Sequence, residues 1–559
     1  MNATPSLPPA PPNRWRSALA GALSLVLFNG LLSFRNWWPT PGIVPDWRLS
    51  PEAVGLWLVL LGWAAWRGGF SRRALAGFTM VFALLVLGRY ANVTVPTLFG
   101  RPVNLYWDGQ QIPRFLWVTA RDQPGWATAL AVVAVLMLLA LLGWLLYGVM
   151  VRVATRVVPA ALHWRGSWVP TGLAAGAVAL HLAGTVPSFT WHVVADPITP
   201  TYARQAVLLA TAFLPGGVEA TVPRATALER ALTLPPEQAL GALRGRDLNL
   251  IFLESYGMVA YEHPAIAPAM EPSRQRFGDD LARGGHLVAS AVVRAATFAG
   301  ASELSHLSLL SGGDLSNPLR HDLLLTTDRP TLPRLFRQAG YESVGLYPAL
   351  SWDWAEAAFY GFDRFLDARD LDYRGPPLGY WKVPDAFSLA RYEQIHPRDA
   401  AARPRLLFFP TITSHLPFGP VPPHQPDWER LLSPDPFGAE ANERLRNAYV
   451  DWLDMRPNYI GMFDYTYRWL GAWLARPAPR EQVWLLVGDH QPAASVSGEG
   501  ASWDVPVHVV TQDPALLARF VALGFTPGLV PRREPLGGMH DLTAMLLKAL
   551  EAAPAASAP

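Results

Sequence analysis

Four side chains that could share one chemistry stand just after apolar runs. Glu254 follows Asn249–Leu253 in NLIFLESYG, where five residues read as a short buried strand and Gly257 breaks the pattern. An ionised carboxylate at the end of an apolar strand is costly to bury unpaired. His415 follows RLLFFPTIT (405–413), and Asp489 and His490 follow QVWLLV (482–487). A parallel sheet brings the carboxyl ends of its strands to one edge, where open α/β sheets place their sites. Glu254, Asp489 and His490 together are a donor set for one divalent cation, zinc or manganese. Taken singly, Asp489 reads as a turn residue or helix cap and His415 as a satisfied loop histidine. Their joint placement after three separate strands is what points to a site.

A metal centre needs something to activate. Ser302 lies in TFAGASELSHLSLLSG, where a Gly- and Ala-rich turn leads into an apolar helical run. A serine at a helix start ordinarily caps it. It also suits a nucleophile, because a metal lowers the hydroxyl pKa and helix amides stabilise an anion beside it. Thr297, five residues upstream, is the rival hydroxyl.

The elements that must position these groups begin near Arg246. Short apolar runs at 248–253, 343–347, 405–413, 482–487 and 505–510 alternate with helical stretches such as 331–341 and 456–475. That alternation predicts a mostly parallel sheet covered by helices on both faces. The first 190 residues differ: five apolar runs, roughly 17–34, 52–66, 74–95, 126–149 and 169–187, predict an α-helical region of about five membrane spans. For the second and fifth runs the alternative is a buried or interfacial helix. The first lacks a small-residue cleavage site and reads as an anchor. With the N-terminus inside, eight arginines fall on inner segments and six (Arg35, Arg48, Arg89, Arg101, Arg114, Arg121) on outer ones, a weak positive-inside bias. That orientation puts everything after Pro187 outside and Trp37, Trp38, Trp47 and Trp107 at the outer interface. The expected organisation is thus a transmembrane domain (1–190), a connector (191–245) and a catalytic domain (246–559).

Composition removes several function classes. The chain has 559 residues, too many for one ordinary domain, and is 51% hydrophobic. Its formal charge of +2 is no nucleic-acid footprint, which needs a dense basic face. With no cysteine, disulfides, thiolate zinc sites and cysteine nucleophiles are excluded.

Residues 246–550 resemble the alkaline-phosphatase/sulfatase superfamily, closest to its lipoteichoic acid synthase and phosphoglycerol transferase branch. Sulfatases place the nucleophile ten residues before the Gly of a Leu-Leu-Thr-Gly ending. Here LLSG ends at Gly312, and ten residues back is Ser302. The resemblance implies a metal site of Glu254, Ser302, Asp489 and His490, with His415 contacting phosphate and Ser302 as nucleophile. It also implies five spans before an exported, extracytoplasmic domain at the plasma (inner) membrane. The implied activity moves a phospho-headgroup from a membrane lipid donor to a glycan or lipid acceptor; the alternatives are a phosphodiesterase or sulfatase-type hydrolase and a non-catalytic scaffold. The chain departs from the family pattern at three points. His306 stands where sulfatases carry an Arg, one helical turn after Ser302, either facing the site or on the helix surface. Leu304 replaces the Pro that formylglycine maturation requires. The headgroup region 347–365 offers Trp352 and Trp354 for substrate binding but no matching Arg before its Gly-aromatic-Asp segment.

Overall fold

The computed structural model describes residues 14–37, 40–99, 103, 105, 108–109, 124–184, 192–214, 220–222, 224–325, 327–351, 354, 357–376, 378, 383–399, 401–448 and 450–552. The chain divides into two compact units. One comprises residues 1–97 and 102–210, the other residues 98–101 and 211–559.

In the first unit each apolar run carries a helix among its described residues: α1 (Arg14–Ser33), α2 (Pro51–Arg67), α3 (Arg72–Phe99), α4 (Gly125–Arg152) and α5 (Trp168–Leu182). Among the described residues two stretches, Arg72–Thr97 and Gly125–His163, are long and apolar enough to cross a membrane; Leu19–Ser33 and Trp168–Leu182 are shorter apolar helices. Along α4, Leu130, Leu136, Met137, Leu138 and Leu139 are each more than half exposed. Arg89, counted above among the outer residues, instead lies inside α3 and is buried. Its guanidinium donates to the carbonyls of Ser33, Phe34 and Asp196 at 2.8–3.1 Å. Glu52 is buried too; it accepts from the Ile198 and Thr199 amides and the Thr199 and Ser50 hydroxyls. Both charges are thereby spent on fastening residues 196–199 to the ends of α1–α3, since a buried charge must be paired or hydrogen-bonded.

The second unit is built on an eight-stranded sheet. Its strands are β1 (Asp247–Leu253), β2 (Leu287–Arg294), β3 (Glu342–Tyr347), β4 (Arg364–Asp367), β5 (Arg405–Pro410), β6 (Gln482–Gly488), β7 (Asp504–Thr511) and β8 (Thr526–Pro527). Their order is β8-β2-β7-β6-β1-β5-β3-β4. The run β4-β3-β5-β1-β6 is parallel, while β6–β7, β7–β2 and β2–β8 pair antiparallel. β1 is buried along its whole length, as a strand covered on both faces must be.

The two faces separate by the two-residue period of a strand. Ile251, Leu253, Leu407, Phe409, Trp484 and Leu486 share one core cluster with Phe277, Phe463 and Trp469. The last three belong to helices α6 (Ala267–Arg283) and α9 (Arg456–Leu474). Phe252 and Phe408 point the other way and meet the ring of His306 on helix α7 (Ser302–Ser311).

One glycine sets how β1 can end. A Cβ on Gly488 would overlap the carbonyl oxygen of Tyr256, which crosses that strand end. Gly488→Ala must therefore displace backbone. It is expected to cost about 2–3 kcal/mol of stability in denaturant unfolding, and a melting curve unchanged from wild type would refute this close approach.

Candidate active site

The site grows from the register of β1. On one side it pairs with β6, setting Leu253 opposite Gly488; on the other it pairs with β5, setting Phe252 opposite Pro410. One or two residues further, Glu254, Asp489 and Thr411 leave the sheet side by side. The Thr411 amide donates to the Phe252 carbonyl (2.8 Å), and the Glu254 amide donates to the Thr411 hydroxyl (3.0 Å). Ser255 then takes a left-handed turn at φ 58°. Its amide donates to Asp489 Oδ1 (2.8 Å) and its hydroxyl to Glu254 Oε1 (2.9 Å). The two carboxylates are thus held by one residue between them.

His490 completes the group. Its Nδ1–H donates to the Gln491 carbonyl at 2.8 Å, which leaves the Nε2 lone pair for the site. Nε2 lies 3.5 Å from Glu254 Oε1, 3.7 Å from Asp489 Oδ2 and 3.1 Å from Ser302 Oγ. Ser302 Oγ is also 3.2 Å from Glu254 Oε2. Glu254, Asp489 and His490 offer ligand atoms all within 4.8 Å of one another, and all three are buried. Metal–ligand bonds of about 2.0–2.2 Å in a tetrahedron imply ligand–ligand edges of about 3.3–3.6 Å, so these separations fit one small divalent ion. Charge argues the same way. Burial, and then the charge of Glu254, push the Asp489 carboxyl well above the ordinary carboxylate range. Burial also lowers the His490 imidazole, keeping it in the neutral, ligating form. A cation among these groups relieves the repulsion between the carboxylates.

Ser302 is the first residue of α7, where the helix dipole and leading amides favour an anion. It is delivered by an unusual turn: Ala299, Gly300 and Ala301 all have positive φ (56°, 137° and 55°). A left-handed alanine costs about 1–2 kcal/mol, so the turn must be held from outside. The Ala299 amide does so, donating to the Gln491 carbonyl at 3.1 Å. That same carbonyl accepts from His490 Nδ1–H, so one atom fixes both the serine turn and the histidine tautomer. Thr297 is differently placed. It is buried, and its hydroxyl donates to the Gly300 carbonyl at 2.7 Å, inside the turn.

The remaining candidates divide. His415 sits on the loop after β5 with Nδ1–H donating to the Leu416 carbonyl (2.7 Å), close enough to influence the ionisation of Glu254 and His490. His306 is buried against Phe252 (4.6 Å), Phe408 (5.6 Å) and Tyr347 (6.3 Å), and its Nε2 has no hydrogen-bond partner. Burial drops its pKa to about 3, so it is neutral at any ordinary pH. Trp354 packs with Tyr347, Tyr360 and Phe365 at 4.9–5.6 Å. Trp352 lies outside the described residues.

Sequence reasoning missed the residues that hold the 411–418 loop. Ser414 Oγ donates to the Glu254 carbonyl at 2.7 Å. Asp385, the first residue of helix α8 (Asp385–Ile395), accepts from the amides of Ile412 (2.7 Å) and Thr413 (3.0 Å), one on each oxygen. The Thr413 hydroxyl in turn accepts from the Asp385 amide at 2.9 Å. KVPDAF carries a helix-start signal, but nothing local says that this aspartate also grips a loop almost 30 residues on.

Burial pushes Asp385 up to about 6. A carboxyl raised above its unfolded value of about 3.9 takes up a proton on folding. Its contribution therefore favours the fold at low pH and is lost as pH rises through the window from about 4 to 6. In Asp385→Asn that slope in thermal stability should vanish. Asp385→Ala leaves two buried amides without acceptors, at about 1–3 kcal/mol each. It is expected to lower both stability and turnover while metal content stays near wild type; full turnover in Asp385→Ala would show that the loop needs no such anchor.

Comparison with known proteins gives one family match. Residues 284–468 match the Sulfatase family model. That stretch contains Ser302, His306, Trp352, Trp354 and His415, whereas Glu254 precedes it and Asp489 and His490 follow. No curated protein matches the chain by sequence. Among solved structures, the lipoteichoic acid synthase LtaP from Listeria monocytogenes is 12% identical at a TM-score of 0.37, covering 59% of this chain and 78% of its own. The Streptococcus pyogenes phosphoglycerol transferase GacH is 10% identical at 0.35, covering 60% and 87%. The periplasmic domain of Escherichia coli EptC, a zinc complex, is 14% identical at 0.34, covering 54% and 80%. The match marks residues 284–468 as a Sulfatase-type domain, and the protein is a sulfatase-like enzyme, a transferase or hydrolase.

Proposed function

We propose that this protein is a membrane-anchored, metal-dependent phosphotransferase that moves a phospho-headgroup, phosphoglycerol or similar, from a lipid to a glycan or lipid acceptor. The observation that carries the reading is Ser302 Oγ, at a helix start and within 3.2 Å of both Glu254 and His490. In the first half-reaction the Ser302 Oγ–P bond forms, the bond from phosphorus to the lipid oxygen breaks, and the proton lost by Ser302 balances the one taken up by the departing lipid hydroxyl. In the second, an acceptor hydroxyl takes the phosphoryl group and Ser302 is restored. Glu254, Asp489, His490 and Ser302 would hold one divalent ion, manganese or zinc. Such an ion supplies charge stabilisation to the phosphoryl oxygens and lowers the serine pKa. The α7 N-terminus adds amide donors to the same anion. His415 contacts the phosphate, while His306 and the Trp352/Trp354 segment bound the headgroup. His306 does so as a neutral ring, because burial denies it a charge.

A lipid donor gives the apolar N-terminal unit a purpose. The exposed leucines of α4 would form an apolar surface far larger than a water-soluble monomer tolerates, and a bilayer covers it. Five spans, with the catalytic domain outside the cytoplasm at the inner membrane, are the corresponding topology. The second reading is a phosphodiesterase or sulfatase-type hydrolase of the same fold with water as acceptor; the Sulfatase match favours it.

Labelled-lipid turnover with and without a glycan acceptor separates the two: transfer yields labelled acceptor, hydrolysis yields free headgroup phosphate whatever is added. Ser302→Ala is expected to lower turnover by several orders of magnitude, as removal of a covalent nucleophile does. Thr297→Ala should retain substantial activity, since its hydroxyl serves the turn. Mass spectrometry of a trapped intermediate should place the phosphoryl group on the peptide carrying Ser302, and an adduct on Thr297 would reverse the assignment.

Metal analysis provides an independent check. Wild-type protein should carry one divalent ion per chain and His490→Ala markedly less, because ligand loss removes both a bond and its tautomer lock. Undiminished occupancy in His490→Ala would place the ion elsewhere.

A further inference from the structure

A chain of buried hydroxyls and one imidazole takes no part in the chemistry proposed above, yet it begins at the residues next to Glu254. Helix α9 supplies one side of it. Tyr459, Phe463 and Tyr467 recur every four residues and so lie along one face of that helix. All three meet Ser255 or Tyr256. The Tyr459 hydroxyl donates to the Ser255 carbonyl at 3.0 Å. The Phe463 ring stacks on Tyr256 with centroids 5.0 Å apart and planes 29° from parallel. The Tyr467 hydroxyl lies 2.7 Å from that of Tyr256. All four side chains are buried.

The protons of this chain follow from its far end. The hydroxyls of Tyr261 and Ser290 donate to the Leu529 and Gly528 carbonyls (3.0 and 2.6 Å), which can only accept. The Ser290 oxygen, on β2, is then the acceptor for Nδ1–H of His508 on β7, at 2.6 Å. Burial drops His508 to about 3, so the ring carries one N–H and its Nε2 accepts. Nε2 lies 3.2 Å from the Tyr256 hydroxyl. The Tyr256 proton thus has two acceptors, His508 Nε2 and the Tyr261 oxygen at 2.7 Å, and Tyr467 is left to donate to the Tyr256 oxygen. Each proton has an acceptor, and a buried polar network satisfied in this way holds one geometry.

What the network holds is the link between the two carboxylates. Ser255 is left-handed without being glycine (φ 58°), a conformation that persists only where its surroundings impose it. Its amide and hydroxyl are the donors that reach Asp489 and Glu254. Tyr256 also lays its carbonyl against Gly488, next to Asp489. We propose that Tyr459 and Tyr256 are positioning residues for the divalent-ion site. Helix α9 grips Ser255 and Tyr256 from one side, the His508–Ser290 network anchors Tyr256 from the other, and Ser255 passes the restraint to both carboxylates. Neither tyrosine is a ligand. The proposal rests on the divalent-ion reading of Glu254, Asp489 and His490 but not on the phosphotransferase reading. A hydroxyl that only packed α9 against the sheet would change stability and leave the affinity for the ion alone.

The test uses the full chain in detergent, stripped of metal and titrated with zinc against a chromogenic chelator, with thermal unfolding of each metal-free protein alongside. His490→Ala fixes the background. Tyr459→Phe removes one hydroxyl and keeps the ring. It is expected to bind zinc about tenfold more weakly than wild type, the low end of what the partners of metal ligands contribute. Tyr467→Phe, which leaves Tyr459 in place, should weaken zinc by less but measurably. Tyr392→Phe is the control. Its hydroxyl is also buried, but it accepts from Arg405 (3.1 Å) at the opposite end of β5, so zinc affinity should stay at the wild-type value. Unchanged zinc affinity in folded Tyr459→Phe overturns the proposal; should that variant not fold, unchanged affinity in Tyr467→Phe does so. An equal loss in Tyr392→Phe also overturns it, because the loss of any core hydroxyl would then loosen the site. Wild type binding zinc no better than His490→Ala would refute the divalent-ion reading itself, and the proposal with it.

Discussion

Two buried carboxylates at neighbouring strand ends are the constraint that the second unit is built around. Glu254 and Asp489 lie one residue past a register pair of a parallel ladder, so the backbone itself sets their separation. Left alone, they repel one another in a medium that screens poorly. Every element around them answers that problem. Ser255 donates to both, Thr411 and Ser414 hold the Glu254 backbone, and Tyr459 donates to the Ser255 carbonyl at 3.0 Å. These are neutral hydrogen-bonding groups, not counter-charges. They orient the pair without neutralising it, which leaves room for the cation proposed above.

The same geometry explains why the fold tolerates backbone strain here. Ser255, Ala299 and Ala301 are all left-handed without being glycine. Strain of this kind persists only where surrounding structure over-determines it. The Gln491 carbonyl and the Ser255 contacts supply that excess. The left-handed run turns Ser302 into the site at the very start of α7, and a relaxed turn would enter the helix along a different direction.

How much of this was legible in the sequence depends on the range of each interaction. Five apolar runs placed β1, β3, β5, β6 and β7, because burial on both faces leaves a continuous apolar signature. Strand ends then located Glu254, His415, Asp489 and His490. β2, β4 and β8 escaped notice: LVASAVVR mixes small and polar residues, and the other two are too short to show a period. Asp385 and Ser414 were invisible for a different reason. Each looks like an ordinary cap or loop residue, and its significance comes from a partner brought near only by the folded sheet. In the first unit the helices were plain from hydropathy, but not the burial of Arg89 and Glu52. A charge inside an apolar run announces a polar partner without saying which carbonyl or amide it is.

The choice between Ser302 and Thr297 shows the difference most sharply. In sequence both are hydroxyls at the edge of the same Gly-Ala turn, and spacing to Gly312 together with the helix start favoured the serine. In the structure their hydrogen bonds separate them. A nucleophile must have its oxygen free to approach phosphorus and its proton drawn off by a neighbour. Ser302 Oγ faces an imidazole nitrogen with an available lone pair and a carboxylate oxygen. Thr297 faces a peptide carbonyl of its own turn, is 1% exposed, and supports the strained geometry that presents Ser302. One hydroxyl is committed to holding the turn, and the other is what the turn holds out.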